Sequence, residues 1–395
     1  MKSSDRHVLA AAAADSLVIA SDPDAEISNR TYWKRGRPWI DAVVASVAQA
    51  PDETIRTLGA SLQADPQDAG RYFELRTALA ERAEPISTEA IFEAAWEAAC
   101  HSRLGFHVGP RYERTSAPVG VHDVSAHPPG PRGSVDGPID VLVIVPFQGR
   151  EAREARLRNL VSCLLALRDQ SFPRERYAVA LVESDEVPRV RSVAAPFVDH
   201  YAFAFKEGIF NKSWAANVGA VHSPGNAPLL CFLDADMLVD RDYIARNAAR
   251  FQRPGTGAHV TYRDVLCLDP ASSSAAIRQR IHRRAPAADT SSLRGFLGRR
   301  PRGGSFWIRR PIFERIGGFD ERYQGWGGED VDFFFRVELA TPLDSYDDTL
   351  LHLHHPPGPI PRHDGKKVNA RIPWLSWQPE EPIGRLDRFA KSDAP

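Results

Sequence analysis

The chain has 395 residues, which corresponds to two or three domains at roughly 100–200 residues each. Its 50 Lys and Arg nearly balance its 51 Asp and Glu, so the overall charge disfavours a strongly basic nucleic-acid-binding protein. An apolar fraction of 43% excludes a wholly disordered chain, and no apolar run reaches the ~18 residues of a membrane helix. We expect a cytoplasmic protein, because Asp15 interrupts the weakly signal-like run at the N-terminus. The four scattered cysteines predict free thiols rather than disulfides.

The first part of the chain is predicted to be helical. Apolar residues recur at helical spacing over 85–102, and further helices are expected over 40–50 and 54–62. The segment 30–39, RTYWKRGRPW, is basic and aromatic, and either forms a recognition surface or, as we favour, covers a small core. No catalytic constellation precedes residue 135, so the sequence predicts no role for this part.

A proline- and glycine-rich segment divides the chain. Residues 127–138 read HPPGPRGSVDGP, which is typical of a linker because proline and glycine disfavour regular hydrogen-bonded ladders. We therefore predict a helical domain of unknown role over 1–135 and a catalytic domain over 136–395.

The second part alternates strands and helices. Short apolar runs at 139–146, 178–183 and 229–233 predict buried strands, and 151–169 and 212–221 predict helices between them. This alternation predicts a layered α/β sheet, in which ligands bind beyond the carboxyl ends of the strands.

Charged side chains follow each predicted strand. Arg150 follows the first strand, at a position suited to an anionic or nucleotide ligand, and Glu183 follows the second, where it can accept hydrogen bonds from a ribose or a base. Asp234 and Asp236 follow the third, where the chain turns and both carboxylates can reach one divalent cation. A solvated turn is the alternative explanation for each.

Two further motifs lie later in the chain. In YQGWGGEDVD (323–332), glycines around Trp326 suit a close approach to a ligand, and Glu329 and Asp330 begin a predicted helix whose dipole favours their ionised forms. In LHLHH (351–355), one histidine is expected to complete a carboxylate-bound cation site, whereas a structural zinc site is disfavoured because no cysteine is near.

Five sequence blocks together resemble the GT-A nucleotide-sugar glycosyltransferases. The resemblance is greatest to the branch that contains animal beta-1,4-galactosyltransferases and bacterial chondroitin-polymerase-type enzymes. It covers residues 140–355 and implies a GT-A (Rossmann-like) mixed sheet flanked by helices, with the N-terminal helical domain outside the match. The blocks are VLVIVPFQGR, FNKSWAANVGA, CFLDADMLV, RGGSFWIRRPIFERIGGFDERYQGWGGEDVDFFFR and LHLHH.

The resemblance also implies a role for each matching residue. Glu329 orients the acceptor and Asp330 is the catalytic base. Asp236 holds Mn²⁺ or Mg²⁺ together with a histidine, for which we prefer His354 and place His352 second. The residues implied in donor binding are Pro146, Phe147, Arg150, Asn211, Lys212, Asp234, Gly303, Gly304 and Trp326.

These residues predict an inverting transfer from a nucleoside-diphosphate sugar, UDP-linked by the resemblance, to a small-molecule or glycan acceptor. The alternatives are a retaining transferase of the polypeptide N-acetylgalactosaminyltransferase type, a non-catalytic sugar-nucleotide-binding module and, third, a nucleotidyltransferase. The helical part is expected to contribute to acceptor binding or to a contact between two copies of the chain. The arginine-rich stretch 269–302 can contact a diphosphate or an anionic acceptor, although a mobile solvated loop is the favoured interpretation.

Overall fold

The computed structural model describes residues 5–82, 85–114, 117–128, 138–150, 154–325, 327–357, 362–363 and 366–389. Its N-terminal part is mainly helical, and the predicted helix over 85–102 is confirmed. The elements of this part are α1 (Arg6–Ser21), α2 (Pro23–Ser28), α3 (Arg30–Ala48), α4 (Glu53–Ala64), α5 (Ala69–Thr77), α6 (Pro85–His101), β1 (Leu104–Val108) and α7 (Val121–Ser125).

Local sequence explains where these helices begin. Four of them follow an aspartate whose side chain accepts backbone N–H groups of the first turn, which would otherwise lack partners. Helix α1 is the centre of the bundle, since its small and apolar residues are buried and belong to one core with the other helices. The capping aspartates are Asp5, Asp22, Asp52 and Asp68.

The second part of the chain contains two mixed sheets flanked by helices, which confirms the predicted α/β class. Its elements are β2 (Val141–Phe147), α8 (Glu154–Arg168), β3 (Tyr177–Asp185), α9 (Arg191–Ala194), β4 (His200–Phe205), α10 (Lys212–His222), β5 (Leu229–Leu233), β6 (Met237–Leu238), α11 (Tyr243–Arg250), β7 (Ala258–Val260), β8 (Asp264–Leu268), α12 (Pro270–Ile277), β9 (Arg294–Arg299), β10 (Ser305–Arg309), α13 (Arg310–Arg315), α14 (Glu329–Ala340), β11 (Leu343–Ser345), β12 (Leu350–His352), β13 (Arg362–His363) and β14 (Lys366–Lys367).

The larger sheet has seven strands in the order β11-β7-β10-β5-β2-β3-β4. Strands β5, β2, β3 and β4 are parallel, whereas β10 runs antiparallel to β5 and β7. Because the four neighbouring strands are parallel, they end at one edge, which brings the segments after β2, β3 and β5 together, as the sequence predicts. Helix α10 packs closely on β2 at Gly219, where a Cβ atom would lie 2.4 Å from the side chain of Ile144.

The smaller sheet joins the two parts of the chain. Its order is β1-β9-β8-β12-β6, so a strand from the helical part pairs antiparallel with β9. Beside it, the Arg294 guanidinium is buried and forms ion pairs with Asp22 of the helical part and with Asp269, the latter at 3.2 Å. Backbone pairing and buried charge thus both fix the helical part on the smaller sheet.

The stretch 269–302 differs from the favoured expectation of one mobile loop, because it contains α12 and β9. Arg280 is buried and bonds the Asp169 carboxylate and backbone carbonyls, so part of the basic character of this stretch is structural. All four cysteines are free, as predicted. Among the described helices, none has the length and apolar character needed to span a membrane.

Candidate active site

Three potential metal ligands, Asp236, His352 and His355, lie with their ligand atoms within 4.8 Å of one another. Asp236 lies between β5 of the larger sheet and β6 of the smaller sheet, and β6 pairs with β12, which ends at His352. Asp236 Oδ2 is 3.0 Å from His355 Nε2 and 3.6 Å from His352 Nε2. His355 Nδ1 bonds the carbonyl of Pro356 at 2.8 Å, which leaves Nε2 as the nitrogen available to a metal.

The chemistry of this cluster fits a divalent cation. Asp236 Oδ1 is buried and has no hydrogen-bond partner among the described residues. One carboxylate and two imidazoles suit Mn²⁺ better than Mg²⁺, which prefers oxygen ligands. Burial opposes ionisation of Asp236, but His352 and His355 hold its pKa well below the usual range. Burial lowers the pKa of His352, but the neighbouring Asp236 and Asp234 carboxylates raise it above the usual value. A metal therefore competes with protons for these ligands.

His354, the preferred metal ligand of the sequence analysis, is not part of the cluster. Its Nε2 lies 3.8 Å from Asp24 Oδ1 in α2, and its carbonyl accepts hydrogen bonds from Arg158 and Asn159. Strand β12 ends at His352. The chain then turns, so that His355 rather than His354 reaches Asp236.

A second charged cluster joins α10, β5 and α14. Lys212 Nζ lies 2.7 Å from Asp234 Oδ1 and 3.3 Å from Asp330 Oδ2. Burial opposes the charge of the Lys212 ammonium, but Asp234, Asp330 and Glu329 raise its pKa well above the usual value. Lys212 therefore stays charged and connects the carboxylate after β5 to the predicted catalytic base.

The two carboxylates predicted to be catalytic, Glu329 and Asp330, lie in the first turn of α14, as expected, but with the opposite shift in pKa. Burial raises the pKa of Asp330, and nearby Asp234 opposes its ionisation while Lys212 favours it. Burial and the charge of Asp330 raise the pKa of Glu329 to about 7, even though Glu329 Oε2 accepts a 2.8 Å hydrogen bond from the Gly327 N–H. Desolvation thus outweighs the helix dipole that the sequence analysis emphasised.

We expect Glu329→Gln to stabilise the folded protein by about 1–3 kcal/mol above pH 7. The carboxyl has a pKa near 4.5 when unfolded and about 7 when folded, so its destabilising effect appears as the pH rises through this range. Below pH 4 both states are protonated and the gain should vanish. Urea unfolding from pH 4 to 9 measures this, with Glu338→Gln on the same helix as an exposed control. If the stability gain of Glu329→Gln did not change with pH, the raised pKa assigned to the Glu329 carboxyl would be wrong.

Two glycines form the wall of the pocket beside Asp330. Gly303 has φ +114°, and a Cβ atom there would lie 2.2 Å from Asp330 Oδ2. Gly304 has φ +88°, and its carbonyl accepts a 2.9 Å hydrogen bond from the Asp234 N–H. The Tyr262 hydroxyl donates to the Gly303 carbonyl, a contact that no sequence motif indicated. Only glycine therefore allows the backbone to lie this close to Asp330.

We expect Gly303→Ala to lower stability by about 1–3 kcal/mol through its positive φ and, in addition, to reduce sharply the transferase activity that the sequence resemblance implies. The added methyl group must displace the Asp330 carboxylate. Gly255→Ala is the matched control, because Gly255 has φ +86° and nothing within 4 Å of the added Cβ. Thermal unfolding and turnover should separate the two variants: both lose stability, and only Gly303→Ala loses activity. If Gly303→Ala and Gly255→Ala had equal turnover, the close packing of the Gly303 backbone against the Asp330 carboxylate would have no role in activity.

The remaining predicted donor residues occupy different surroundings. Pro146 lines the same pocket as Lys212 and Asp234. Phe147 is buried in the core. Arg150 is half exposed and forms a 2.5 Å ion pair with Glu186. Trp326 lies outside the described residues.

Glu183 and Asn211 have structural partners. The Glu183 carboxylate is fully buried and accepts hydrogen bonds from the backbone N–H groups of Arg189 and Val190 and from Tyr201. Asn211 caps α10 by accepting from the Trp214 N–H and donates to the Glu321 carbonyl. These contacts shape the loops around the pocket and leave neither side chain directed at a ligand.

A segment of the site matches a known family. Residues 296–342 match the family model described as the N-terminal domain of galactosyltransferase, and this segment contains Gly303, Glu329 and Asp330. Among curated proteins, none matches the chain significantly. The family match and the two mixed, helix-flanked sheets support the predicted glycosyltransferase of GT-A-like fold.

Several solved structures are also similar to the chain. Mannosyltransferase PcManGT from Pyrobaculum calidifontis, in complex with GDP-Man and Mn²⁺, is 19% identical over 62% of this chain and 64% of its own, with a TM-score of 0.36. TarS from S. aureus is 13% identical over 55% and 37%, with a TM-score of 0.39. The catalytic domain of Drosophila beta1,4galactosyltransferase 7, in complex with xylobiose, is 18% identical over 55% and 71%, with a TM-score of 0.34. The chain thus spans less than two thirds of the first two of these structures.

Proposed function

We propose that the chain is a metal-dependent, inverting glycosyltransferase. It transfers a sugar from a nucleoside-diphosphate sugar, UDP-linked according to the sequence resemblance, to a hydroxyl or amine of a small-molecule or glycan acceptor. Asp330 is the general base in this proposal, and Glu329 orients the acceptor. Asp236, His352 and His355 are the residues that hold the cation.

One observation carries the proposal: a metal-ligand cluster and a partly buried base lie close together and are connected by Lys212. Asp236, in the cluster, is two residues from Asp234, and Lys212 forms ion pairs with both Asp234 and Asp330. A nucleotide-sugar donor needs positive charge at its diphosphate and a base on the acceptor side of its anomeric carbon. The two clusters supply these two requirements.

The cation, when bound, neutralises the charge that develops on the departing diphosphate. The protein residues perform the other tasks. Asp330 accepts the proton of the attacking hydroxyl or amine, and its raised pKa makes it a stronger base than an exposed aspartate. The Gly303 backbone, with no side chain of its own, leaves the space beside this carboxylate open. One in-line displacement at the anomeric carbon inverts its configuration, so no protein nucleophile is required.

A thermal-shift screen of nucleoside diphosphates and sugar nucleotides, with and without Mn²⁺, tests the proposed donor binding. We expect stabilisation by one nucleotide class that requires the metal. Stabilisation without metal, or none with any nucleotide, would contradict the proposal. Metal-dependent binding with no turnover on any acceptor would instead indicate a binding module, and a product anomer that retains the donor configuration would indicate a retaining transferase.

A further inference from the structure

The helical part of the chain covers the face of the smaller sheet that carries a metal ligand. Directly paired residues of neighbouring strands point to the same face, and the register pairs His352 with Cys267, Cys267 with Phe296, and Phe296 with Phe106. Phe296 and Phe106 belong to the same core as the N-terminal helices. Helices α1 to α6 therefore lie on the active-site side of this sheet and not behind it.

This arrangement brings cations of the helical part to the edge of the pocket. Tyr32 and Arg35 are three residues apart on α3 and so share a helix face. The Arg103 guanidinium lies 4.3 Å from the centroid of the Tyr32 ring and donates hydrogen bonds of 3.1 and 2.9 Å to the Arg299 carbonyl. Arg302 follows Arg299 by three residues, in the segment between β9 and β10. We call Tyr32, Arg35, Arg103 and Arg302 the basic rim.

The basic rim is adjacent to the predicted base. Arg302 directly precedes Gly303, whose Cα approaches the Asp330 carboxylate. The Arg302 guanidinium lies 5.0 Å from the centroid of Phe334, which lines the pocket. The Arg103 guanidinium also donates a hydrogen bond to the Arg300 carbonyl, two residues before Arg302, so the contacts of the helical part reach this segment.

Arg103 is held in place, and the rim is incompletely neutralised. Within the described residues, neither Arg35 nor Arg103 forms an ion pair with a carboxylate, and the partner of Arg302 is the partly exposed Glu338 at 3.1 Å. Arg103 is held by an aromatic ring and by backbone carbonyls, contacts that an arginine exposed only to water does not make. A preorganised guanidinium without a carboxylate partner is suited to an anion.

We propose that the basic rim binds an anionic group, phosphate or carboxylate, on the acceptor sugar. This inference rests on the proposed function, because it places the acceptor on the Asp330 side of the pocket. In the proposed function, the bound cation and Lys212 neutralise the diphosphate of the donor. The basic rim is therefore available to bind the acceptor. The helical part of the chain thereby acquires a role in acceptor selection.

The experiment compares acceptors that differ only in charge, using the full chain with Mn²⁺ and the donor identified by the thermal-shift screen. The two pairs are p-nitrophenyl β-glucuronide against p-nitrophenyl β-glucoside, and glucose 6-phosphate against glucose. They distinguish a carboxylate from a phosphate. We expect kcat/KM to be at least about tenfold higher for the anionic member of one pair, and this preference to fall with ionic strength.

Arg35→Gln and Arg103→Gln should each reduce this preference about fivefold or more, mainly through the acceptor KM. Arg30→Gln is the matched control, since Arg30 is an exposed arginine of α3 that is paired with Glu26. No preference for the anionic member in either pair, or variants that raise the donor KM and keep the acceptor preference, would overturn the inference. Loss of metal-dependent nucleotide binding in the wild type would instead refute the proposed function itself, so the two failures are distinguishable.

Discussion

Asp330→Asn is expected to reduce turnover by a factor of about 10²–10⁴, because the variant cannot accept the proton of the attacking acceptor. Asparagine has nearly the same shape, so the space beside Gly303 is preserved. Lys212 keeps its 2.7 Å contact with Asp234, which compensates its charge in the variant. Steady-state transfer assays, together with the Mn²⁺-dependent thermal shift by nucleotide, should show lost chemistry with donor binding retained.

The control for this prediction is Asp347→Asn, which removes a largely exposed carboxylate outside the pocket. Its turnover should equal that of the wild type. The pH profile gives a second control, since the acid limb assigned to the base should disappear from the residual activity of Asp330→Asn. Near-wild-type transfer by this variant would show that Asp330 is not the base.

His355→Ala should abolish the Mn²⁺-dependent part of the nucleotide-induced stabilisation, whereas His354→Ala should retain it. The first variant removes a side chain 3.0 Å from Asp236, and the second removes one whose Nε2 lies near Asp24 instead. A nucleotide at about one hundred times its Kd stabilises a protein by about 2.7 kcal/mol, so the loss is measurable by thermal shift.

The pair of histidine variants controls for general damage, because both change one imidazole in the same segment to alanine. Direct Mn²⁺ titration by calorimetry should give the same order of effects, and EDTA should reduce the wild type to the level of His355→Ala. If His354→Ala lost metal binding and His355→Ala kept it, the metal cluster described here would be wrong.

Much of the catalytic sheet was predictable because its central strands are buried on both faces. Strands β2, β3 and β5 appear in the sequence as short apolar runs, rich in β-branched residues in β2, and the charged residues after them do lie at one edge. The edge strands are less distinctive. Strand β9, with the sequence RGFLGR, has two glycines and two arginines, and it is defined by its pairing with β1 and β8.

The differences between the predicted site and the observed one have local causes. The sequence analysis preferred His354 among the three histidines, whereas the chain turns after β12 and places His355 beside Asp236. Glu183 follows the general rule that strand ends face the ligand, but nearby backbone N–H groups and Tyr201 satisfy its carboxylate. The raised pKa of Asp330 depends on burial by distant segments, which no local pattern reveals.

The position of β1 at the edge of the smaller sheet has a consequence for any shortened form of the protein. A chain that began after the proline-rich segment would lose this strand and leave the backbone N–H and C=O groups of β9 unpaired. It would also uncover the apolar face around Phe296. An open strand edge beside an apolar surface is a template for edge-to-edge association, so such a fragment should aggregate, even though it would contain every residue of the metal cluster and the base.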